Sequence, residues 1–361
     1  MDPHPRRRYV ILAEGQFGET ASKTAIGVIR YARDTVVAIL DSTRAGRNVG
    51  EWLGPLYDIP IVATLDEALA LTPSTLLLGT APVGGRIPPT WRATILQAIE
   101  AGLDVISGLH EFISDDVEFA SAAATHGVEL VDHRKPPERH EVSTGRPHKP
   151  GKQVVLTVGS DCAIGKMTVS VELRRAAVAA GVAAVMVPTG QTGIMIEGWG
   201  VAVDRVIADF VAGTVEWLTA QAEEMADLVI VEGQGSIDHP SYSGVTLGLL
   251  HGSAPHALVM VHEPGRTVHH GWEDRASQPN AHLKSMAELI SIYEALAGLV
   301  SPAKVMGIAL NTSAMSESEA RTEIARVQAE TGIVTDDVVR FGGERIVDAL
   351  RTGLAHLAAR A

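Results

Sequence analysis

The run Gly159-Ser160-Asp161-Cys162-Ala163-Ile164-Gly165-Lys166-Met167-Thr168 constrains this chain more than any other part of it. A β-strand pattern, Gln153–Val158, leads into it and a helical pattern, Lys166–Ala180, leads out. That strand–turn–helix setting is what a phosphate-binding loop requires. Glycines let the backbone wrap with its N–H groups inward, and the helix N-terminus adds partial positive charge. Lys166 supplies a full charge, and Thr168 offers a hydroxyl to a phosphate oxygen. Five residues, rather than the usual four, separate Gly159 from Gly165. Met167 stands where a Ser or Thr normally ligates Mg²⁺, and a thioether does not replace a hard oxygen ligand. The loop therefore suits pyrophosphate binding better than hydrolysis of Mg·ATP.

The same half of the chain continues with strands Ala183–Val187, Asp227–Val231, Ala257–Val261 and Val305–Leu310, and with helices Asp204–Ala226, Ser285–Leu299 and Ser316–Thr331. In an open parallel sheet, ligands bind beyond the carboxyl ends of the strands, which makes the residues there candidates. After the second strand come Thr189, Gln191 and Thr192, which are neutral donors and acceptors. Glu232 ends the third strand, where an acid facing such a loop commonly holds a metal or acts as a base. Ser236 and His239 follow, the latter a candidate general base. Arg266 follows the fourth strand with the geometry for a carboxylate or phosphate. Asp204 is either a helix N-cap or a group that orients an amine or metal. Asn311 ends the fifth strand. His269 and His270 lack a metal-ligand spacing, so no metal site is expected. Cys162 lies at a helix N-terminus, where thiol pKa values tend to fall. It reads as a packed loop residue or, alternatively, as an acyl-carrying nucleophile.

The first half alternates short strands and helices: Tyr9–Ala13, Val36–Leu40, Pro60–Ala63, Thr75–Leu78, Asp104–Ser107 and Glu129–Val131, with helices at Ala21–Tyr31, Leu65–Ala70, Pro88–Ala101 and Asp115–His126. This predicts βαβ units and a mostly parallel sheet. Asp41 ends the second strand, where a ribose-binding acid would sit. Breakers and charges at 133–152 mark a boundary. The expected organisation is α/β: a Rossmann-like parallel-sheet domain at 1–138, a linker at 139–152, and a P-loop NTPase-like α/β domain at 153–361. A length of 361 residues accommodates both cores. The net charge of −13 argues against a nucleic-acid partner. One cysteine excludes an intrachain disulfide and fits a cytoplasmic location. No apolar run approaches the ~20 residues of a membrane span.

The loop spacing and Pro188-Thr189-Gly190-Gln191-Thr192-Gly193 resemble dethiobiotin synthetase and its P-loop relatives. Taken with Val231-Glu232-Gly233-Gln234-Gly235-Ser236 and His262-Glu263-Pro264-Gly265-Arg266, they resemble a bacterial two-domain family. That family joins a Rossmann-like domain to a P-loop domain and includes D-glutamate N-acetyltransferases. The resemblance covers essentially the whole chain. It implies transfer of an acetyl group from acetyl-CoA to the amine of a D-amino acid. Gly159–Thr168 and Asn311 would then hold the cofactor, and His239, Glu232 or Asp204 would take the amine proton. Gln191, Thr192, Ser236 and Arg266 would face the substrate, Arg266 on its carboxylate. The expected partners are a small amino acid and further copies of the chain. Two alternatives stay open: an ATP- and Mg²⁺-dependent ligase or kinase of the dethiobiotin synthetase type, and a nucleotide-sensing regulator without turnover.

Overall fold

The computed structural model describes residues 6–18, 22–32, 34–80, 82, 84–138 and 140–358. They form two units, Met1–Pro136 with Gln191–Ala202, and Pro137–Gly190 with Val203–Ala361.

The first unit runs β1 (Arg8–Leu12), α1 (Lys23–Tyr31), β2 (Thr35–Leu40), α2 (Gly50–Leu53), β3 (Ile61–Val62), α3 (Leu65–Leu69), β4 (Thr75–Leu78), α4 (Arg92–Glu100), β5 (Asp104–Ser107), α5 (Val117–His126) and β6 (Leu130–Asp132). All strand pairs are parallel, in the order β3-β2-β1-β4-β5-β6. Val10, Leu12, Leu76 and Leu78 pack into one core cluster while Tyr9, Ile11 and Leu77 pack into another. With apolar packing on both faces, the central strands carry continuous apolar runs and not alternating ones. Ala21, where the first helix was expected to start, lies outside the described residues.

Asp41 does not offer its carboxylate to a ribose. It is buried and accepts the amides of Gly15 (3.0 Å) and Phe17 (3.2 Å) together with the Thr43 hydroxyl (2.7 Å). Burial alone would raise its pKa, but these hydrogen bonds hold it below the usual carboxylate range. The β1 turn is filled by Phe17, fully buried and edge-on to Trp52.

The second unit runs β7 (Gln153–Gly159), α6 (Lys166–Ala179), β8 (Ala184–Val187), α7 (Gln191–Glu197), α8 (Ala208–Met225), β9 (Leu228–Val231), α9 (Ser243–Ser253), β10 (Ala257–His262), α10 (Met286–Ala297), β11 (Lys304–Leu310), α11 (Glu317–Thr331), β12 (Thr335–Asp336) and α12 (Glu344–Ala358). Of these, α7 belongs to the first unit. The sheet is parallel throughout, in the order β12-β11-β10-β7-β9-β8. The strand that delivers the phosphate-binding loop therefore lies between β10 and β9, where successive crossovers reverse direction. Val155, Ile230, Val259 and Ala309 pack in one cluster with Val169 and Leu173 of α6 and Leu350 and Leu354 of α12.

Three features depart from expectation. Helix α8 starts at Ala208 with Ile207 as its N-cap, so Asp204 does not cap it; Asp204 lies in a separate single turn, Val203–Arg205. Helix α9 is rich in glycine because α8 lies against it. A Cβ on Gly252 would stand 2.3 Å from the Ala212 carbonyl oxygen. Finally, within the expected linker the stretch from Glu141 to Lys149 lies along α8. Gly213 has no room for a side chain because the Glu141 carbonyl would be 2.0 Å away. Glu216 accepts from the Thr144 and Gly145 amides and from the Ser143 and Thr144 hydroxyls, and Glu223 accepts from Arg146.

This arm has a testable pH signature. Burial opposes ionisation of Glu216, but the Thr144 and Ser143 hydroxyls and the arm amides outweigh it, and its pKa falls to about 2. A depressed folded pKa adds stability above the unfolded value, which is lost as pH falls toward the folded one. Glu216→Gln should therefore lower Tm at pH 7 and flatten its decline between about pH 4.5 and 2. Parallel Tm–pH curves for the two proteins would refute this.

Candidate functional site

The loop between β7 and α6 is bound into the second unit from several sides. The Ser160 amide donates to the Val261 carbonyl, and the buried Tyr293 hydroxyl donates to the Gly159 carbonyl at 2.8 Å. Tyr293 also accepts the Ile237 amide, tying the loop to the segment after β9. Asn311 donates to the Ile164 carbonyl at 3.3 Å. Ala163 takes a left-handed φ of 56°, a conformation that costs a non-glycine residue free energy and recurs at ligand-binding turns. Gly165 follows at φ 106°.

Lys166 lies beneath the loop, buried, with Nζ donating to the Asp161 carbonyl at 2.6 Å. Burial lowers its pKa to about 8. Glycines leave its path open: a Cβ on Gly159 would stand 3.2 Å from Nζ, and one on Gly233 would stand 3.2 Å from Cδ. Backbone amides at a helix N-terminus together with a buried lysine form a bed for a pyrophosphate.

Glu232 ends β9 beside β7. It is buried, and Oε2 accepts the amides of Thr189 (2.8 Å) and Gly190 (3.1 Å). Burial raises its pKa to about 7, against the pull of those amides and Lys166; the charge of Asp204 raises it further. Asp204 is thus an exposed neighbour that tunes Glu232.

Arg266 is committed to the loop. It donates to Asp161 Oδ2 (2.9 Å), the Cys162 carbonyl (2.9 Å) and Glu263 (2.6 Å). Its place is therefore that of a clamp on the loop, and the expected placement on a substrate carboxylate gives way to this. Asp161 also accepts the His270 amide at 2.8 Å. Burial alone would raise its pKa, but Arg266 and the Cys162 and His270 amides hold it low.

His239 is buried and both ring nitrogens are engaged. The Ser241 amide can only donate, so Nδ1 accepts and the proton of the neutral ring sits on Nε2, facing the His270 carbonyl at 3.2 Å. That leaves His239 poorly arranged as a base. Ser236 donates to Asp238 at 2.6 Å, and His269 lies between two carboxylates, 3.4 Å from Asp161 and 3.7 Å from Asp238. Asp238 and Tyr293 escape the sequence reasoning, which weighs His269 only as a metal ligand. Asp238 lies in a singled-out loop, whereas Tyr293 has no local signal.

Asp161, Cys162 and His239 bring ligand-type atoms within 4.8 Å of one another. The hydrogen bonding opposes a cation there, because Arg266 already meets the Asp161 charge and His239 carries its proton on the atom facing the cluster. Burial also pushes the Cys162 thiol up to about 11, opposite to the lowering expected at a helix N-terminus. A protonated thiol is a poor nucleophile. Cys162→Ser should retain turnover, and loss of a mass-detectable acyl-enzyme together with loss of activity in that variant would reverse the conclusion.

Gln191 and Thr192 belong to the first unit. There Gln191 Oε1 accepts from Arg134 at 2.8 Å, and Thr192 shares a 3.0 Å hydroxyl hydrogen bond with Thr24. In the second unit, Met167 and Thr168 open α6, half-buried. A cavity of about 470 Å³ lies beside the loop, lined by Ser160, His262, Arg266, Lys284 and Leu289 among others.

Residues 141–347 match the family described as "Domain of unknown function (DUF1611_C) P-loop domain", and residues 42–136 match its companion, "Domain of unknown function (DUF1611_N) Rossmann-like domain". A D-glutamate N-acetyltransferase from Tritonibacter scottomollicae is 37% identical over 331 residues, 91% of this chain and 94% of that protein. Another of that name, from a Pseudoalteromonas species, is 38% identical over 282 residues, 78% of this chain and 82% of that protein. A crystal structure of a DUF1611 family protein from Anabaena variabilis superposes with a TM-score of 0.90 at 37% identity, covering 96% of this chain and all of that one.

Proposed function

Since this chain belongs to the DUF1611 family, we propose that it is an N-acetyltransferase that moves the acetyl group of acetyl-CoA to the amine of a D-amino acid such as D-glutamate. The observation that carries this reading is a phosphate-binding loop with its lysine in place but methionine at the Mg²⁺-ligand position, in a chain akin to relatives of that activity. Coenzyme A presents a pyrophosphate and a 3′-phosphate, which need amides and cations but no phosphoryl chemistry. Lys166 and the loop amides bind the pyrophosphate, and the cavity beyond Ser160 gives room for the rest of the nucleotide, with Lys284 and Arg266 at its wall.

Glu232 is the base. A carboxylate with a pKa of about 7 is half-ionised near neutral pH, the condition in which general-base catalysis is most efficient. The amine nitrogen attacks the thioester carbonyl and gives its proton to Glu232. The new C–N bond forms as the C–S bond breaks, and coenzyme A leaves as the thiolate, which takes up the proton that Glu232 accepted and so restores the base. Two amides hold one oxygen of Glu232 without neutralising it.

The test is thiol release from acetyl-CoA with D-glutamate, L-glutamate and other D-amino acids as acceptors. Release that depends on a D-amino acid, with N-acetyl product by mass, is the expected result. No release with any amino acid, alongside ATP hydrolysis that an acceptor stimulates, would favour the ATP-dependent ligase instead, with Glu232 holding Mg²⁺.

A further inference from the structure

We propose that Lys284 binds a ribose 3′-phosphate, that of coenzyme A, in the cavity beside the phosphate-binding loop, and so separates the acyl donor from nucleotides that lack this group. The assignment deepens the acetyl-transfer reading above and rests on it. The cavity, about 470 Å³, is walled on one side by Ser160, just after β7, and His262, the last residue of β10. It thus continues the loop at the carboxyl ends of the strands, where open α/β sheets take their ligands.

The cationic side chains of this wall differ in what they already hold. Arg266 donates to Asp161 (2.9 Å) and Glu263 (2.6 Å). Arg326 donates to Glu323 (2.6 Å) and to Glu330 (2.7 Å), an acid of the same wall. Each arginine therefore faces two carboxylates and brings no net positive charge to the cavity. Lys284 stands apart. Its amide donates to Asp238 at 3.4 Å, but its ammonium has no hydrogen bond or ion pair among the described residues. Glu288, which feels its charge, is held by the hydroxyl and the amide of Ser285. Lys284 is exposed, so an added phosphate meets an ammonium that keeps part of its hydration.

The rest of the wall suits a purine. Leu289 and Val327, both buried, contribute apolar atoms to it, and the half-buried Leu283 and Met286 add to them. Apolar side chains take the face of a flat ring, and a thioether packs well against one. The two histidines do not compete with Lys284 for an anion. His262 shares a 2.8 Å hydrogen bond with the Ser160 hydroxyl, and burial lowers its pKa, which keeps the ring neutral at pH 7. His282 Nε2 donates to the Ala276 carbonyl at 2.8 Å. A nucleotide with only a 5′-phosphate chain satisfies the loop and the apolar wall but leaves Lys284 unmet. Coenzyme A carries one more phosphate, on the ribose.

Calorimetry on the full chain with acetyl-CoA and with its 3′-dephospho analogue decides this. The wild type should bind acetyl-CoA about 10-fold more tightly than the analogue, the scale of one charge-assisted contact at an exposed site. In Lys284→Ala the affinity for acetyl-CoA should fall to that for the analogue, whose own affinity stays as in the wild type. Lys284→Arg should keep most of the preference. Equal affinities in the wild type, or an undiminished preference in Lys284→Ala, would overturn the assignment and leave acetyl transfer standing. A wild type that prefers adenosine 3′,5′-bisphosphate to AMP through Lys284, yet releases no thiol from acetyl-CoA with any amino acid, would uphold the 3′-phosphate site and overturn the acetyl-transfer reading.

Discussion

Lys166→Ala is expected to weaken acetyl-CoA binding by roughly 100-fold, the scale of removing a charge-assisted hydrogen bond to phosphate from a buried site. Lys166 is sequestered beneath the loop, with its pKa lowered by burial to about 8 in the ligand-free protein. Binding selects the protonated amine, so affinity should also fall as pH rises through about 8 in the wild type and lose that dependence in the variant. Burial that lowers a lysine pKa means that holding the charge destabilises the folded state below pH 8, and stability should rise with pH between the folded and unfolded values. Lys166→Met removes the charge but keeps the apolar stem, so the ligand-free protein should melt no lower while binding weakens by a similar factor of roughly 100. Unchanged calorimetric affinity for acetyl-CoA in either variant would remove the loop from the account.

The second large effect is on Glu232. Glu232→Gln keeps an oxygen to accept the Thr189 and Gly190 amides but removes the proton acceptor. It should lower kcat by roughly 10²- to 10⁴-fold with a smaller change in the KM for acetyl-CoA. In the wild type the rate should rise as pH passes about 7, where Glu232 ionises, and the variant should lose that rise. The stability linkage runs separately. An acid whose folded pKa is raised adds stability below its unfolded value, and this is lost as pH climbs through the folded one. Glu232→Gln should therefore gain Tm relative to the wild type above about pH 7. A variant that is stable at pH 8 and inactive separates a missing base from a broken fold. Full activity in Glu232→Gln would exclude Glu232 as the base.

Much of the second unit could be read from sequence because local signals and fold agree there. The apolar run 153–158, the glycines and Lys166 all point to the same loop, and Ser285 and Ser316 cap α10 and α11 with paired Glu288 and Glu319. What the sequence hides is how polar groups pair across the chain. Arg266 carries no mark that Asp161, over a hundred residues earlier, takes its charge. Asp41 looks like a ribose ligand until the Gly15 and Phe17 amides are seen on it. Cys162 follows a general trend for thiols at helix N-termini until burial is added. Gln191 and Thr192 follow the second strand of the P-loop half in sequence, yet their partners, Arg134 and Thr24, come from the first unit. Helix α9 escaped notice because Gly244, Gly248 and Gly252 are poor helix formers, the last two retained where α8 approaches.

The most direct test of the central claim is calorimetric titration of the wild-type protein with acetyl-CoA and, separately, with ATP and Mg²⁺. A bed that holds phosphates without a Mg²⁺-binding hydroxyl predicts tight acetyl-CoA binding with weak, Mg²⁺-insensitive ATP binding. Tight binding of ATP that requires Mg²⁺, with no heat from acetyl-CoA, would contradict it.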